Sequence, residues 1–336
     1  MRSPRWKASP DDPAGYYHCV SRVVERRFHF QERECHRFRQ LLSEYSAFCG
    51  IRVVSWCILS NHFHLLIQIP QKPQTPPPVE KLVERLEHLT STFLTAAAAR
   101  QLLQLWAEQG NTTSPEQLRN RLWAQMYDLS QFMKLLKQRF SQWFNRVHVR
   151  KGTLWEERFR SVLVEANSTA LATVAAYIDL NCVRAGLATD PKDYRWCGYA
   201  EAVAGNSEAR KALAEAIDCP VDQVLETYRQ WLFGLGEERE GTDEAGRPLK
   251  KGFDRAQVLE VLAKKGRLDR SEYLRLRIRY LVDGAVLGSK EFVNDAFQRH
   301  RDRFGPKRTS GARPVQGLPS PGLCCLRAHK IENLVL

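Results

Sequence analysis

Two histidines stand two residues apart in the run Asn61-His62-Phe63-His64. On a β-strand that spacing puts both imidazoles on one side and Phe63 on the other. Two adjacent imidazoles make half of a metal site; otherwise they are polar groups on the solvated side of a half-buried strand. A second set lies far along the chain. Tyr177, Asn181 and Arg184 recur at steps of four and three, which aligns them on one face of a helix. Beside them runs an apolar stripe of Leu171, Ala175, Ile178, Cys182 and Ala185. A phenol can act as nucleophile, a carboxamide as a neutral oxygen ligand, and a guanidinium as a phosphate clamp. The competing reading is a tyrosine packed at the margin of the core, its hydroxyl bonded to a neighbour.

A third set is Trp155, Arg158 and Arg160. An indole and two guanidinium groups suit stacking on bases and pairing with phosphates, although Trp155 and Phe159 also suit a core and the arginines a solvated edge. His18, Arg22 and Arg26 fall on or next to a segment rich in aromatics, and His18 and Arg22 have the parity to share a sheet face with the histidine pair.

The elements that must position these residues follow from periodicity. Gly15–Arg22 reads as a strand. Phe38, Leu41, Leu42, Tyr45 and Phe48 mark an amphipathic helix over 32–49. Ile51–Leu59 and His62–Ile69 read as two strands of a hairpin joined at Ser60-Asn61. The proline run over 71–78 continues neither element. Residues 80–125 read as a helical insert broken near 110–115, followed by a helix over 129–147. Arg160–Ala166 reads as a strand. A helix over 169–185 follows, with Asn167 or Ser168 as N-cap and Gly186 as its stop. The order predicts an α+β domain, a ferredoxin-like antiparallel sheet with helices on one face, over residues 1–202 with its insert at about 71–127. Residues 203–252 read as a helical extension and a glycine-rich linker. Residues 253–336 read as a basic helical C-terminal module with a loose tail.

Charge narrows the class of partner. The 336 residues carry 51 Lys and Arg against 38 Asp and Glu, a net charge of +13. Residues 250–313 alone hold 17 basic and 8 acidic side chains. Such an excess favours a polyanion, most often nucleic acid. No run of about 18 apolar residues is present to span a bilayer, and no apolar core follows the first basic residues as in a signal peptide. The nine cysteines include no C-x-x-C pair, which argues against a cysteine zinc site and a disulfide framework, and favours buried thiols in a cytoplasmic protein. No H-x-E signature is present for a zinc deaminase.

Six stretches, in order, resemble one family: YYHCVSRVVERRFHF (16–30), VVSWCILSNHFHLLIQIP (53–70), FSQWFNR (140–146), GTLWEERFRSVLVE (152–165), AAYIDLNCVRAGL (175–187) and DYRWCGYAE (193–201). The set resembles the HUH endonucleases with a single tyrosine, and most closely the REP-associated tyrosine transposases, which act on repetitive extragenic palindromes. The resemblance implies an HUH nuclease fold in a bacterial, cytoplasmic transposase. It implies that His62, His64 and Asn181 hold a divalent cation, Mg²⁺ or Mn²⁺, and that Tyr177 attacks single-stranded or hairpin DNA through a 5′-phosphotyrosine. Arg22, Trp155, Arg158, Arg160 and Arg184 become candidate DNA contacts. The chain is expected to act as a monomer or homodimer and to need no membrane. Two departures stand out. Asn181 is followed by Cys182 where the family commonly has proline, and the insert is longer than in compact members. A binder of structured single strands that no longer cuts is the alternative on the same scaffold. Because every catalytic candidate precedes residue 185, the chemistry is expected to survive truncation after Gly241.

Overall fold

The computed structural model describes residues 5–24, 30–90, 92, 94–234, 279–282, 284–315 and 322–327. Strand β1 (Ala14–Arg22) leads into helix α1 (Glu32–Cys49), then the hairpin β2 (Arg52–Ile58) and β3 (His62–Pro70). Helix α1 begins at Gln31, whose backbone N–H donates to the Glu34 carboxylate at 3.1 Å. It ends at Gly50, whose φ of 67° is left-handed and suits a residue without Cβ. The insert forms α2 (Val79–Glu84), α3 (Ala96–Glu108) and α4 (Thr113–Trp123), with the break at Gly110. Helix α5 (Leu129–Val147) and strand β4 (Arg160–Val164) complete the first half.

These strands stand in the order β2-β3-β1-β4, each antiparallel to its neighbour. With α1 between β1 and β2, that is the ferredoxin-like arrangement in an α+β fold. A one-residue bulge at Val54 lets β2 keep apolar residues on both faces.

The helices occupy both faces of the sheet, not one as the periodicity predicts. On one face Tyr17, Phe63, Leu65, Ile67 and Leu163 pack with Phe38 and Leu41 of α1 and Phe132, Leu136 and Phe140 of α5. On the other, Cys57, Leu66, Val162 and Val164 pack against α6 (Ser168–Asp179), α9 (Ser207–Ile217) and α10 (Val224–Gly234). Residues 170–179 of α6 are buried all round its axis. A helix lined by Ala on every side lies between two layers, so its apolar stripe understates how much of it is covered. The helix also breaks sooner than Gly186: Leu180 separates α6 from the short α7 (Asn181–Arg184). Gly186 then turns the chain with a φ of 70°. Helix α8 (Gly198–Val203) precedes α9.

The C-terminal part departs furthest from expectation. Most of the linker and residues 253–278 lie outside the described residues, as does Arg26. Beyond them come α11 (Arg279–Val282), β5 (Gly284–Gly288), α12 (Lys290–Arg299), β6 (Arg313–Pro314) and β7 (Cys324–Arg327). Strand β5 pairs parallel to β4, Leu163 opposite Val286 and Val164 opposite Leu287. Strands β7 and β6 extend the sheet to seven strands among the described residues. The described part of this module is therefore sheet as much as helix. The run Gly284-Ala-Val-Leu-Gly288 is wholly buried, as a strand covered on both faces must be. Glu165, just past β4, ties the join: its carboxylate accepts from the Ser289 backbone N–H at 2.5 Å and hydroxyl at 3.0 Å. Ser289 in turn caps α12.

Candidate active site

The register of β1 on β3 decides which side chains meet. His62 lies opposite Arg22, His64 opposite Val20, and His18 opposite Leu66. All of these face α6, and Phe63 faces α1, as the strand parity predicts. His18 and His64 are thus diagonal neighbours, a relation long side chains can bridge. Their rings stack with centroids 5.2 Å apart, and His18 Nε2 lies 3.0 Å from His64 Nδ1. The other nitrogen of His18, Nδ1, lies 2.8 Å from the backbone carbonyl of Leu281 in α11. His62 stands edge-on to His64 at 5.1 Å, and its Nδ1 lies 2.6 Å from Asn61 Oδ1.

Tyr177 comes down on this cluster from α6. Its ring centroid is 5.7 Å from those of His18 and His64, edge-on to both. The Arg184 guanidinium covers the phenol ring at 4.6 Å and donates through Nη1 to the Tyr177 carbonyl at 3.3 Å. Tyr177 is 3% exposed. Two residues on, buried Asp179 anchors the helix. Its carboxylate accepts from the Tyr228 hydroxyl at 2.6 Å, the Tyr199 backbone N–H at 3.1 Å and the Ser55 hydroxyl at 3.3 Å. Burial raises its pKa to about 7 against those hydrogen bonds.

The electrostatics of the cluster are one-sided. Burial pushes the pKa values of His18 and His62 down to about 4, with Arg22 adding to the effect on His62. His64 is held well below its ordinary value by burial, then by His18, His62, Arg184 and Arg22. The standing charges among these, Arg184 and Arg22, are both cationic, so the surroundings disfavour a protonated His64 and favour an anion.

The remaining candidates separate. Asn181, 7% exposed, donates through Nδ2 to the carbonyls of Tyr177 at 3.0 Å and Ile178 at 3.3 Å, so its amide nitrogen is tied to the end of α6. Arg160 is exposed and lies on the His64 side, in the cross-strand row Cys57, His64, Val20, Arg160. Trp155 does not join them. Its ring packs among Phe30, Phe38, Phe63 and Phe140 on the far side of the sheet, and its Nε1 donates to Ser141 Oγ at 2.7 Å. At 9% exposed, the ring sits as the core reading of Trp155 expects, one of the two readings its sequence position leaves open. Arg158 also lies on that far side, close enough to Arg5 to help burial lower its pKa, while Arg5 stacks on Phe159 at 3.8 Å. The contact that sequence reasoning missed is Leu281 with His18. His18 has the right parity, but nothing in the sequence ties it to a carbonyl 263 residues away.

Residues 13–112 match the family model described as transposase, IS200-like. That stretch holds β1, β2, β3 and the histidine pair, under a third of the chain, and over it the chain is similar to IS200-like transposases. Among solved structures, the chain is similar to one described as a REP-associated tyrosine transposase bound to a REP hairpin. The identity is 12% and the TM-score 0.35, over 61% of this chain and 86% of that one; a likeness of that size carries no argument about this chain. A search of curated proteins found no match. Among the described residues no helix is long and apolar enough to cross a membrane.

Proposed function

We propose that the chain is a metal-dependent transposase that nicks and rejoins single-stranded or hairpin DNA, with Tyr177 as nucleophile. The observation that carries this reading is the edge-on approach of the Tyr177 ring to His64, with His62 alongside and Arg184 above. Among the described residues no group of three or more His, Cys, Asp or Glu side chains is arranged to hold a metal ion. A cation would therefore take neutral imidazoles from His62 and His64 and the Asn181 amide oxygen, and complete its shell with phosphate oxygens and water. This donor set fits Mn²⁺ better than Mg²⁺, because imidazole is a softer ligand than oxygen. Such a cation supplies charge withdrawal at a non-bridging phosphate oxygen.

The protein's own groups do the rest. Arg22 and Arg184 favour the phosphate, and Arg160 lies in the same row of the sheet. The Tyr177 oxygen forms a bond to phosphorus as the bond to the 3′ oxygen breaks. The phenol proton leaves, and the departing oxygen gains one to become a 3′-OH. The 5′-phosphotyrosine retains the energy of the broken ester, so a second 3′-OH can reverse the step without a nucleotide cofactor. The partner we propose is a DNA hairpin, with repetitive palindromes as the first targets to test.

The burial of Tyr177 beneath Arg184 favours a second reading, a binder of structured single strands that does not cut. One assay separates the two. The protein is incubated with labelled hairpins and Mn²⁺, and the products are run on a denaturing gel. An adduct that survives SDS in the parent and vanishes in Tyr177→Phe, with hairpin binding retained, supports the nuclease. Binding with no adduct in the parent supports the silent binder, and an adduct in the Phe variant moves the nucleophile elsewhere.

A further inference from the structure

We propose that His18 is a positioning residue that sets the tautomer of His64, and that the Leu281 carbonyl makes the C-terminal segment part of the catalytic site. This rests on the metal role proposed above for His62 and His64. The argument follows from donors and acceptors. A backbone carbonyl can only accept, so the Leu281 contact at 2.8 Å requires a proton on His18 Nδ1. In a neutral ring His18 Nε2 is then a lone pair, and the 3.0 Å contact to His64 Nδ1 requires the proton to lie on His64. His64 in turn keeps its own Nε2 as a lone pair. Both rings are buried, His18 1% and His64 3% exposed, so these two contacts are made away from water.

His62 reaches the same state by a shorter route. Its Nδ1 donates to Asn61 Oδ1 at 2.6 Å, which leaves Nε2 unprotonated. Both imidazoles of the pair are thereby held in the tautomer that can ligate a cation or accept a proton through Nε2. The outer partner of a ligating histidine is commonly a carboxylate or a carbonyl. For His64 the partner is a second imidazole with a carbonyl behind it, and the acceptor lies in the segment that leads into β5. The relay thus couples the ligand strand β3 to residues that β1, β3 and α6 do not contain.

The test uses the full-length protein with ¹⁵N-labelled histidine, read by long-range ¹H–¹⁵N correlation. His64 is expected in the Nδ1–H form, and a predominant Nε2–H form would overturn the relay. His18→Leu removes both hydrogen bonds, whereas His18→Gln keeps one donor and one acceptor. In His18→Leu the Nε2–H form of His64 should become substantial, and the affinity for Mn²⁺ followed by electron paramagnetic resonance should fall roughly 10- to 100-fold. His18→Gln should restore both. A His18→Leu protein with the parent tautomer and parent affinity would refute the proposal. If His18→Leu does not fold, the parent tautomer and the Gln variant still decide it. A parent that binds no Mn²⁺ would sink the metal role alone, and the relay would then stand or fall on the tautomer.

Discussion

At the scale of single residues the site is a group of imidazoles kept neutral by their surroundings, and this has a consequence for acid stability. His18 and His62 titrate near 4 when folded and near 6.5 when unfolded, and His64 is shifted in the same direction. Between those values the unfolded chain binds more protons, so stability is lost as pH falls through that window. Asp179 acts with the opposite sign. Its folded pKa of about 7 exceeds the unfolded value, so its contribution is lost as pH rises from about 4 to about 7. Three histidines outweigh one aspartate, and the melting temperature in EDTA should rise from pH 4.5 to 6.5. His18→Gln should shallow that rise and Asp179→Asn should steepen it. Calorimetry across the range checks this, and a melting temperature that falls over that window would contradict the neutral cluster. Much of the residue scale was legible beforehand. His62 and His64 face one way because strand parity requires it, and Tyr177 and Arg184 meet because helix spacing does. The Asn181 side chain was legible in position but not in partner, because a carboxamide near a helix end can turn back onto its own carbonyls.

At the scale of elements, α6 carries Tyr177, the proposed nucleophile, and what fixes α6 is Asp179. A carboxylate at the centre of a core is tolerated only with its hydrogen bonds made. Here they come from β2, from α8 and from α10, so one side chain aligns three elements with the helix. Asp179→Ala should leave the Tyr228 hydroxyl and the Tyr199 N–H without partners, at about 1–3 kcal/mol for each. Urea unfolding should show the combined loss. A variant within about 0.5 kcal/mol of the parent would mean that the contacts are dispensable. The bulge at Val54 and the break at Leu180 were not legible, since neither has a sequence marker such as glycine or proline. Helices on both faces were missed because α6 shows an apolar stripe that an alanine-lined helix does not need. Trp155 was ambiguous from sequence, as tryptophan suits a core and a base-stacking site equally well.

At the scale of the whole molecule, the C-terminal segment changes what truncation should do. Sequence charge suggests a detachable basic module, because a window rich in Arg and Lys says nothing of strand pairing. Yet β5 covers the edge of β4, Leu287 packs in the same core as Val164 and Ile178, and Leu281 holds His18. Ending the chain after Gly241 should therefore uncover an apolar strand edge and remove the acceptor behind His64. The truncated protein is expected to lose adduct formation, melt earlier and aggregate. Full activity from a folded, monomeric truncation, measured by gel and by circular dichroism, would show that the first part of the chain is sufficient. The basic excess of residues 250–313, which favours a polyanion, is tested separately by substituting Lys264, Lys265 and Arg267 within an otherwise intact chain and measuring the salt dependence of hairpin affinity, which should flatten.

The parallel pairing of β4 with β5 also sets an order of events during synthesis. Leu163 must wait for Val286, 123 residues later, and at about 5–20 residues per second that is a delay of roughly 6–25 s. For most of that interval, from Tyr177 to Leu281, the nascent chain carries His62, His64 and Tyr177 but has no carbonyl behind His18. A message cut or stalled before that point would yield a protein that bears the proposed site residues without the carbonyl behind His18. Only chains read through to β5 would hold the completed proposed site, and the same segment would close the strand edge along which unfinished copies would otherwise join.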